Sequence, residues 1–152
     1  MKQEAKHNFD VPTTAETVWN FLWDVQSLAQ CIPGCGPVEI IEEQKAYKAQ
    51  MKRKVGPFLL RFNLEINILE ADAPRQIKVE IFGSDKRLKT TIKQLLIVNL
   101  TSGSENTNVD LNLDMELTGV LVTLGKRLAV AHINQILDDF VATMQERIRE
   151  RI

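Results

Sequence analysis

The chain has 152 residues and a formal net charge of -1, from 19 Lys plus Arg against 20 Asp plus Glu. This length most simply forms one domain, residues 1–152, and the near-zero charge argues against an electrostatic nucleic-acid binder. The sequence has neither a signal peptide nor a run of about 18 apolar residues, and two cysteines are too few for a disulfide framework. We therefore expect a soluble cytoplasmic protein.

The N-terminal part predicts one strand followed by two short helices. The strand spans residues 4–11, and a capping-box pattern of Thr13 and Glu16 marks the start of the first helix. The second helix is expected over residues 25–30. Apolar residues at helical spacing define the buried face of the first helix: Ala15, Val18, Trp19 and Leu22.

Two tryptophans and two cysteines mark this region. Trp19 fits the core, whereas Trp23 lies at the edge of the apolar stripe and fits either an exposed rim or a pocket mouth. Cys31 and Cys35 flank a Pro-Gly turn. Their spacing lacks the further ligands of a zinc site and the Cys-x-x-Cys pattern of a redox pair. We expect two buried thiols and no metal.

From Val38 onward the apolar residues alternate with a period of two, which predicts about six antiparallel strands. Glycine, proline and polar residues mark the turns near residues 56–57, 73–75, 84–87 and 102–106. The 84–87 loop is expected to be solvated. The carboxylates of the last strand recur every second residue, so they are expected to face solvent rather than bind calcium.

Arg53 and Gln94 are polar exceptions on the inward side of these strands. Arg53 has the same strand parity as Tyr47 and Met51, which predicts that all three point toward the core. A charge on an apolar face is costly unless it meets a partner, a pocket mouth or an anionic ligand group. The alternative is an arginine that extends its head group to solvent at the sheet edge.

Residues 120–152 predict one long helix uninterrupted by proline. The apolar sector of its first half is rotated by about a quarter turn from that of its second half, so its partner must be curved. A twisted antiparallel sheet is such a partner. The element order predicts an α+β domain in which a curved sheet of about seven strands surrounds a long C-terminal helix.

Three motifs stand out together: Val-Trp-x-x-Leu at residues 18–22, Cys-Ile-Pro-Gly at 31–34 and Val-Gly-Pro at 55–57. They resemble the carbon monoxide dehydrogenase G-subunit family, a branch of the START-like helix-grip (SRPBCC) superfamily, over about residues 2–146. The resemblance implies a helix-grip fold with an internal apolar cavity. It also implies an accessory role beside molybdenum-containing carbon monoxide dehydrogenase-type hydroxylases, in membrane recruitment and quinone-linked electron transfer. Arg53 and Trp23 depart from the residues usual in that family.

We therefore expect non-catalytic binding of a hydrophobic, lipid- or quinone-like small molecule between sheet and helix, without a cofactor. A partner redox enzyme is expected, while homodimerisation and weak peripheral association with the inner membrane face stay open. The expected ligand-binding residues are Trp19, Trp23, Ile32, Tyr47, Met51, Arg53, Phe62, Gln94, Met115, Leu124, Leu128 and His132.

Two other classes of function fit the sequence. An enzyme of the cyclase or hydrolase type would use the same fold, with His132 as its candidate base. No Ser-His-Asp arrangement or inward carboxylate pair supports it, so we expect no catalytic residues. A ligand-free adaptor would recruit a partner enzyme to the membrane through the basic helix end at residues 147–152, although Glu146 and Glu150 weaken attraction to anionic lipid.

Overall fold

The computed structural model describes residues 1–152 and contains seven strands and four helices. In chain order the elements are β1 (Lys2–Val11), α1 (Ala15–Trp23), α2 (Val25–Gln30), β2 (Glu39–Glu42), β3 (Ala46–Val55), β4 (Phe58–Asp72), β5 (Gln76–Asp85), β6 (Thr90–Ser102), β7 (Thr107–Leu117), α3 (Val120–Thr123) and α4 (Lys126–Arg149). The predicted α+β order is confirmed, and α2 has the predicted bounds. No helix is both long enough and apolar enough to cross a membrane.

The seven strands form one curled antiparallel sheet in the order β1-β7-β6-β5-β4-β3-β2. Strands β2 to β7 pair consecutively as a meander, and β1 joins the far edge by pairing with β7. Strand parity follows the alternation in the sequence: Met51 lies opposite Phe62, and Gln94 lies opposite Met115. A sheet this long and twisted curves enough to receive α4 on its inner face.

The prediction of one continuous C-terminal helix is wrong. The chain forms α3 and then α4, with Gly125 between them at a φ of 93°. A positive φ cannot continue a right-handed helix, and glycine adopts it without a side-chain clash. Within α4, Ala131, predicted on the apolar face, is exposed, whereas Ala129 is buried.

The predicted cap of α1 is displaced by one residue. Thr14, not Thr13, is the N-cap, and its Oγ1 accepts a hydrogen bond of 3.2 Å from the Thr17 backbone N–H. The φ of -75° and ψ of 155° at Thr14 give the extended backbone typical of this position. The capping interaction is therefore present without the reciprocal Glu16 contact that the sequence pattern predicts.

The C-terminal end of α4 and the residues just after it contact the junction between α1 and α2. Asp24 caps α2, accepting from the Ser27 hydroxyl at 2.8 Å, and it also pairs with the Arg151 guanidinium. Hydrogen bonds from Ser27 and then from Arg151 lower the pKa of Asp24 below its ordinary value. Arg151 also lies 4.9 Å from the centre of the Phe21 ring, and Ile148 is fully buried. The basic helix end is therefore partly committed to the fold, which weakens the adaptor hypothesis.

Asp85 corrects the expectation that the 84–87 loop is solvated. Its side chain is only 4% exposed, and it accepts hydrogen bonds from the backbone N–H groups of Arg61 at 2.9 Å and Leu88 at 3.1 Å. Burial alone would raise the pKa of Asp85, but these bonds and the nearby Arg87 guanidinium lower it overall. Asp85 therefore ties the β5–β6 turn to the start of β4.

The carboxylates of β7 are not all free in solvent. Asp114 and Glu116 are exposed, as predicted, but Asp110 is half-buried. Its side chain accepts hydrogen bonds from Asn8 at 3.2 Å and Asn112 at 2.8 Å, and these bonds lower its pKa. Asp110 therefore joins β1 to β7 on the outward face of the sheet.

Candidate functional site

The buried core divides into two clusters along the inner face of the sheet. The first cluster has 16 buried residues and gathers around α1 and the C-terminal half of α4, where Met144 and Ile148 are fully buried. The second cluster has seven buried residues around α3 and the start of α4, among them Leu60, Leu121 and Ala129. Each cluster packs one end of the sheet–helix interface.

Apolar side chains that face inward between these clusters are only half-buried. They come from the middle of strands β3 to β7 and from the facing side of α4: Met51, Leu64, Ile66, Ile68, Ile81, Ile92, Leu96, Leu113, Leu128, Ile133 and Phe140. Among the strands, α4 approaches the edge strand β1 most closely. Inward apolar residues normally bury completely when the opposing layer fills the space. We call this incompletely filled region the sheet–helix space.

Arg53 and His132 form a polar pair within the sheet–helix space. The Arg53 Nη2 lies 3.3 Å from the His132 Nδ1, and both side chains are half-buried. A guanidinium only donates hydrogen bonds, so the His132 Nδ1 must accept and the ring hydrogen must be on Nε2. Burial, and secondly the Arg53 charge, lower the pKa of His132. His132 is therefore a neutral imidazole at neutral pH.

The charge of Arg53 has no acidic partner. None of the ion pairs within 4.0 Å includes Arg53, and its Nε is buried without a hydrogen-bond partner. A buried donor left unpaired costs about 1–3 kcal/mol, and more when the group is charged. The inward position predicted for Arg53 is confirmed. Because its Nε is buried, this part of the guanidinium does not extend to solvent at the sheet edge.

The predicted site residues divide between the two clusters. Trp19 belongs to the first cluster and is 8% exposed. The Trp23 ring packs edge to face against the Trp19 ring, with 6.0 Å between the ring centres. Phe62 and Met115 are buried in the second cluster. The structure therefore places the two tryptophans at the other end of the interface from most of the predicted site.

The remaining predicted apolar residues lie near the second cluster or outside both. Met51, Leu124 and Leu128 pack against the second cluster. Tyr47 is buried, and its hydroxyl accepts a hydrogen bond of 2.7 Å from the Gln44 backbone N–H. The hydroxyl therefore stabilises the β2–β3 turn. Burial raises the pKa of Tyr47. Ile32 is half-buried in the loop after α2.

Gln94 is half-buried on the inward row of β6 between Ile92 and Leu96. Its side chain makes no hydrogen bond within the chain, in contrast to the outward Gln50 and Gln76 amides, which pair with Asn63 and Asn99. An amide that keeps its donors and acceptor free next to apolar neighbours is available to a ligand.

Two further hollows open on the outward side of the sheet. One of about 440 Å³ lies beside the 36–39 segment, and another of about 940 Å³ crosses β1 and β4 to β7, where it touches Gln94 and Met115. Charged and amide side chains dominate both linings, and neither includes Arg53, His132 or any residue of α4. Neither outward hollow therefore forms part of the sheet–helix space, where apolar side chains face one another.

The Cys-Ile-Pro-Gly turn closes the edge of β3 next to this space. The Gly34 carbonyl accepts from the Lys52 N–H at 3.0 Å, and the Gly36 N–H donates to the Gln50 carbonyl at 2.8 Å. Gly34 has a φ of 84°, and a Cβ there would overlap the Lys52 carbonyl oxygen. Cys31 is buried as expected, at 1% exposed, whereas Cys35 is only half-buried; burial raises the pKa of both thiols. This turn is structural.

The sequence pattern of the carbon monoxide dehydrogenase G-subunit family (CoxG) matches residues 8–149. The chain belongs to the CoxG family. No curated protein gives a significant sequence match. The resemblance carried by the Val-Trp-x-x-Leu, Cys-Ile-Pro-Gly and Val-Gly-Pro motifs is thereby confirmed.

Solved structures support the helix-grip architecture of this CoxG chain. A conserved protein from Geobacillus kaustophilus superposes with a TM-score of 0.87 at 22% identity, covering 97% of this chain and 96% of that one. A START superfamily protein from Mycobacterium smegmatis gives 0.73 at 16% identity, covering 98% and 99%. An aromatase/cyclase from a Streptomyces species gives 0.71 at 18% identity, covering 99% and 96%. At such identities the similarity establishes the START-like fold alone.

Several residues of the CoxG chain that line the sheet–helix space are not among the predicted site residues. They are Leu64, Ile66, Ile68, Ile81, Ile92, Leu96, Leu113, Ile133 and Phe140. Strand parity places all of the strand residues in this set inward, so that signal is present in the sequence. What parity does not give is which inward residues remain half-buried, because that depends on where α4 lies over the sheet.

Proposed function

We propose that this CoxG-family chain binds a hydrophobic, lipid- or quinone-like molecule in the sheet–helix space and does not catalyse a reaction on it. The observation that carries the proposal is the row of half-buried apolar side chains facing each other around the Arg53–His132 pair. Membership of the CoxG family supports a further step, in which the loaded protein serves a carbon monoxide dehydrogenase-type molybdenum hydroxylase.

The physical advantage of a ligand in this region comes from apolar burial. Each square ångström of apolar surface removed from water contributes about 25 cal/mol, so side chains left half-buried on facing elements retain a substantial driving force for binding. An empty apolar cavity, conversely, costs about 24 cal/mol per Å³ in engineered proteins. A bound apolar molecule would complete the packing that α4 leaves unfinished.

Native mass spectrometry of the purified chain, followed by solvent extraction, tests the proposal. A co-purifying apolar molecule, or saturable uptake of added decylubiquinone, is expected. Leu128→Trp should reduce uptake because it fills the sheet–helix space from α4. The matched control Val122→Trp alters an exposed residue of α3 and should leave uptake unchanged. Absence of any bound or bindable molecule would remove the carrier proposal.

An enzyme is a second candidate, supported by one observation. His132 is a half-buried neutral imidazole, and it could act as a general base once its Nδ1 lone pair is released from the Arg53 contact. Structural relatives include the Streptomyces aromatase/cyclase and a norcoclaurine synthase from Thalictrum flavum. If a substrate is found, His132→Ala should abolish its turnover under this alternative, and undiminished turnover would exclude His132 as the base.

A further inference from the structure

The Arg53 guanidinium leaves specific donors unused. Its Nε–H is buried and unpartnered, while its Nη2 makes one contact of 3.3 Å with His132. Nε and Nη2 lie on the same edge of the planar guanidinium, and Nη2 carries two hydrogens. That edge matches the two oxygens of a carboxylate or phosphate, which accept from both nitrogens in parallel.

The surroundings of Arg53 supply no counter-charge. Its neighbours on the inward row of β3 are Met51 and Val55, and its cross-strand partner on β4 is Leu60. His132 is neutral and accepts from Arg53, so it does not balance the charge. A neutral head group such as a ketone could accept a hydrogen bond, but it would leave the cation uncompensated in an apolar region.

His132 adds a second donor beside the first. Because its Nδ1 accepts from Arg53, its hydrogen is on Nε2, and this Nε2–H makes no hydrogen bond within the chain. The pair therefore presents two kinds of donor to a ligand: the charged guanidinium of Arg53 from the sheet and the neutral Nε2–H of His132 from α4. Such a combination favours an oxygen-rich anion over a neutral or cationic group.

We infer that the molecule bound in the sheet–helix space is an anionic amphiphile, whose oxyanion head group, a carboxylate or phosphate, is held by Arg53. This inference rests on the proposed binding function and narrows its ligand class. It assigns Arg53 a specificity role, because the apolar tail alone would not distinguish a charged from an uncharged head.

Three probes with the same tail test the inference: palmitate, hexadecyl phosphate and hexadecanol. Their affinities for the full chain are measured below the critical micelle concentration by displacement of a fluorescent apolar probe. We expect at least one anion to bind about tenfold tighter than the alcohol. The better of the two anions identifies whether the head group is a carboxylate or a phosphate.

Variants separate the role of Arg53 from general effects of charge and folding. Arg53→Met should remove the preference for the anion, while the alcohol binds as before. Arg53→Lys should retain part of the preference, because lysine keeps the positive charge but lacks the two parallel N–H donors of the guanidinium. Lys54→Met removes one positive charge from the exposed neighbour on the outward face and should keep the full preference. Thermal unfolding confirms that each variant is folded.

The outcomes separate the two proposals. Equal binding of all three probes by the unaltered chain would leave the carrier function standing and overturn the anionic head group. Retention of the preference in Arg53→Met would also overturn it. If only decylubiquinone binds, the anionic head group alone is overturned; if none of the three probes binds and neither a co-purifying molecule nor decylubiquinone uptake is found, the carrier proposal itself fails.

Discussion

Arg53 on β3 and His132 on α4 share a contact of 3.3 Å between Nη2 and Nδ1, which joins the sheet to the helix where the flanking side chains are apolar. The contact requires an unprotonated Nδ1, because an imidazolium has no acceptor to offer a guanidinium. The connection between the two layers therefore depends on the charge state of His132.

Stability is expected to fall below about pH 6.5, the ordinary pKa of histidine. Burial and the Arg53 charge lower the pKa of His132 in the folded chain, so in that range the unfolded chain takes up a proton that the folded chain does not. Above the ordinary pKa both states are neutral and His132 contributes no pH dependence. Urea unfolding across this range should show a smaller loss of stability in His132→Asn, whose amide oxygen still accepts from Arg53.

The Arg53 contribution can be separated by following the His132 ring proton by NMR. In Arg53→Met the pKa of His132 should rise toward its ordinary value, since one of its two causes has been removed. An unshifted His132 titration in this variant would show that the guanidinium does not act on the imidazole.

Asp85→Asn is expected to destabilise the fold by about 1–3 kcal/mol, because an amide replaces a carboxylate that accepts from two backbone N–H groups. The folded pKa of Asp85 is lowered, so its stabilisation is present above the ordinary value of 3.8 and lost as pH falls through the folded pKa. The free energy of unfolding of the variant, measured with denaturant, should therefore fall less steeply with decreasing pH in the acid range. Asp114→Asn, at an exposed position of β7, should change stability by less than about 0.5 kcal/mol.

The strands and their facing are predictable from the sequence, whereas the break in the C-terminal helix is not. Alternation with a period of two gives both the existence and the parity of a strand, and it correctly places Met51, Arg53 and Gln94 inward. The absence of proline after residue 120 favours an unbroken helix, but Gly125 interrupts it. A glycine inside an apolar helical pattern is compatible with either continuation or a positive φ, and the choice between them depends on tertiary packing.

The site is predictable residue by residue but not as an arrangement. Arg53 and His132 are each polar exceptions near the expected cavity, yet they lie 79 positions apart in the sequence. Their contact depends on how α4 is rotated about its own axis over the sheet, and the spacing of apolar residues along the sequence does not fix that rotation. Asp85 escapes prediction for a related reason: its partners are backbone N–H groups, which leave no mark in the side-chain pattern.

Gly34→Ala should destabilise the fold more than Gly125→Ala, although both glycines have positive φ values of 84° and 93°. Alanine at Gly125 meets no atom within 4 Å, so it carries only backbone strain of about 1–3 kcal/mol. Alanine at Gly34 would also overlap the Lys52 carbonyl oxygen and separate the turn from β3, for a total of about 3–5 kcal/mol. Equal losses in chemical denaturation would mean that the turn is not held against β3 as described.

Adding volume tests directly whether the sheet–helix space is unfilled. Ile66→Phe enlarges a half-buried inward side chain of β4, so the added atoms have room and the change should cost less than about 1 kcal/mol. Val109→Phe enlarges a fully buried residue of the first cluster and should cost about 1–3 kcal/mol through overpacking. Urea unfolding measures both, and uptake of decylubiquinone should fall in Ile66→Phe alone. If Ile66→Phe is as damaging as Val109→Phe, the interface between sheet and helix is solidly packed and leaves no room for a ligand.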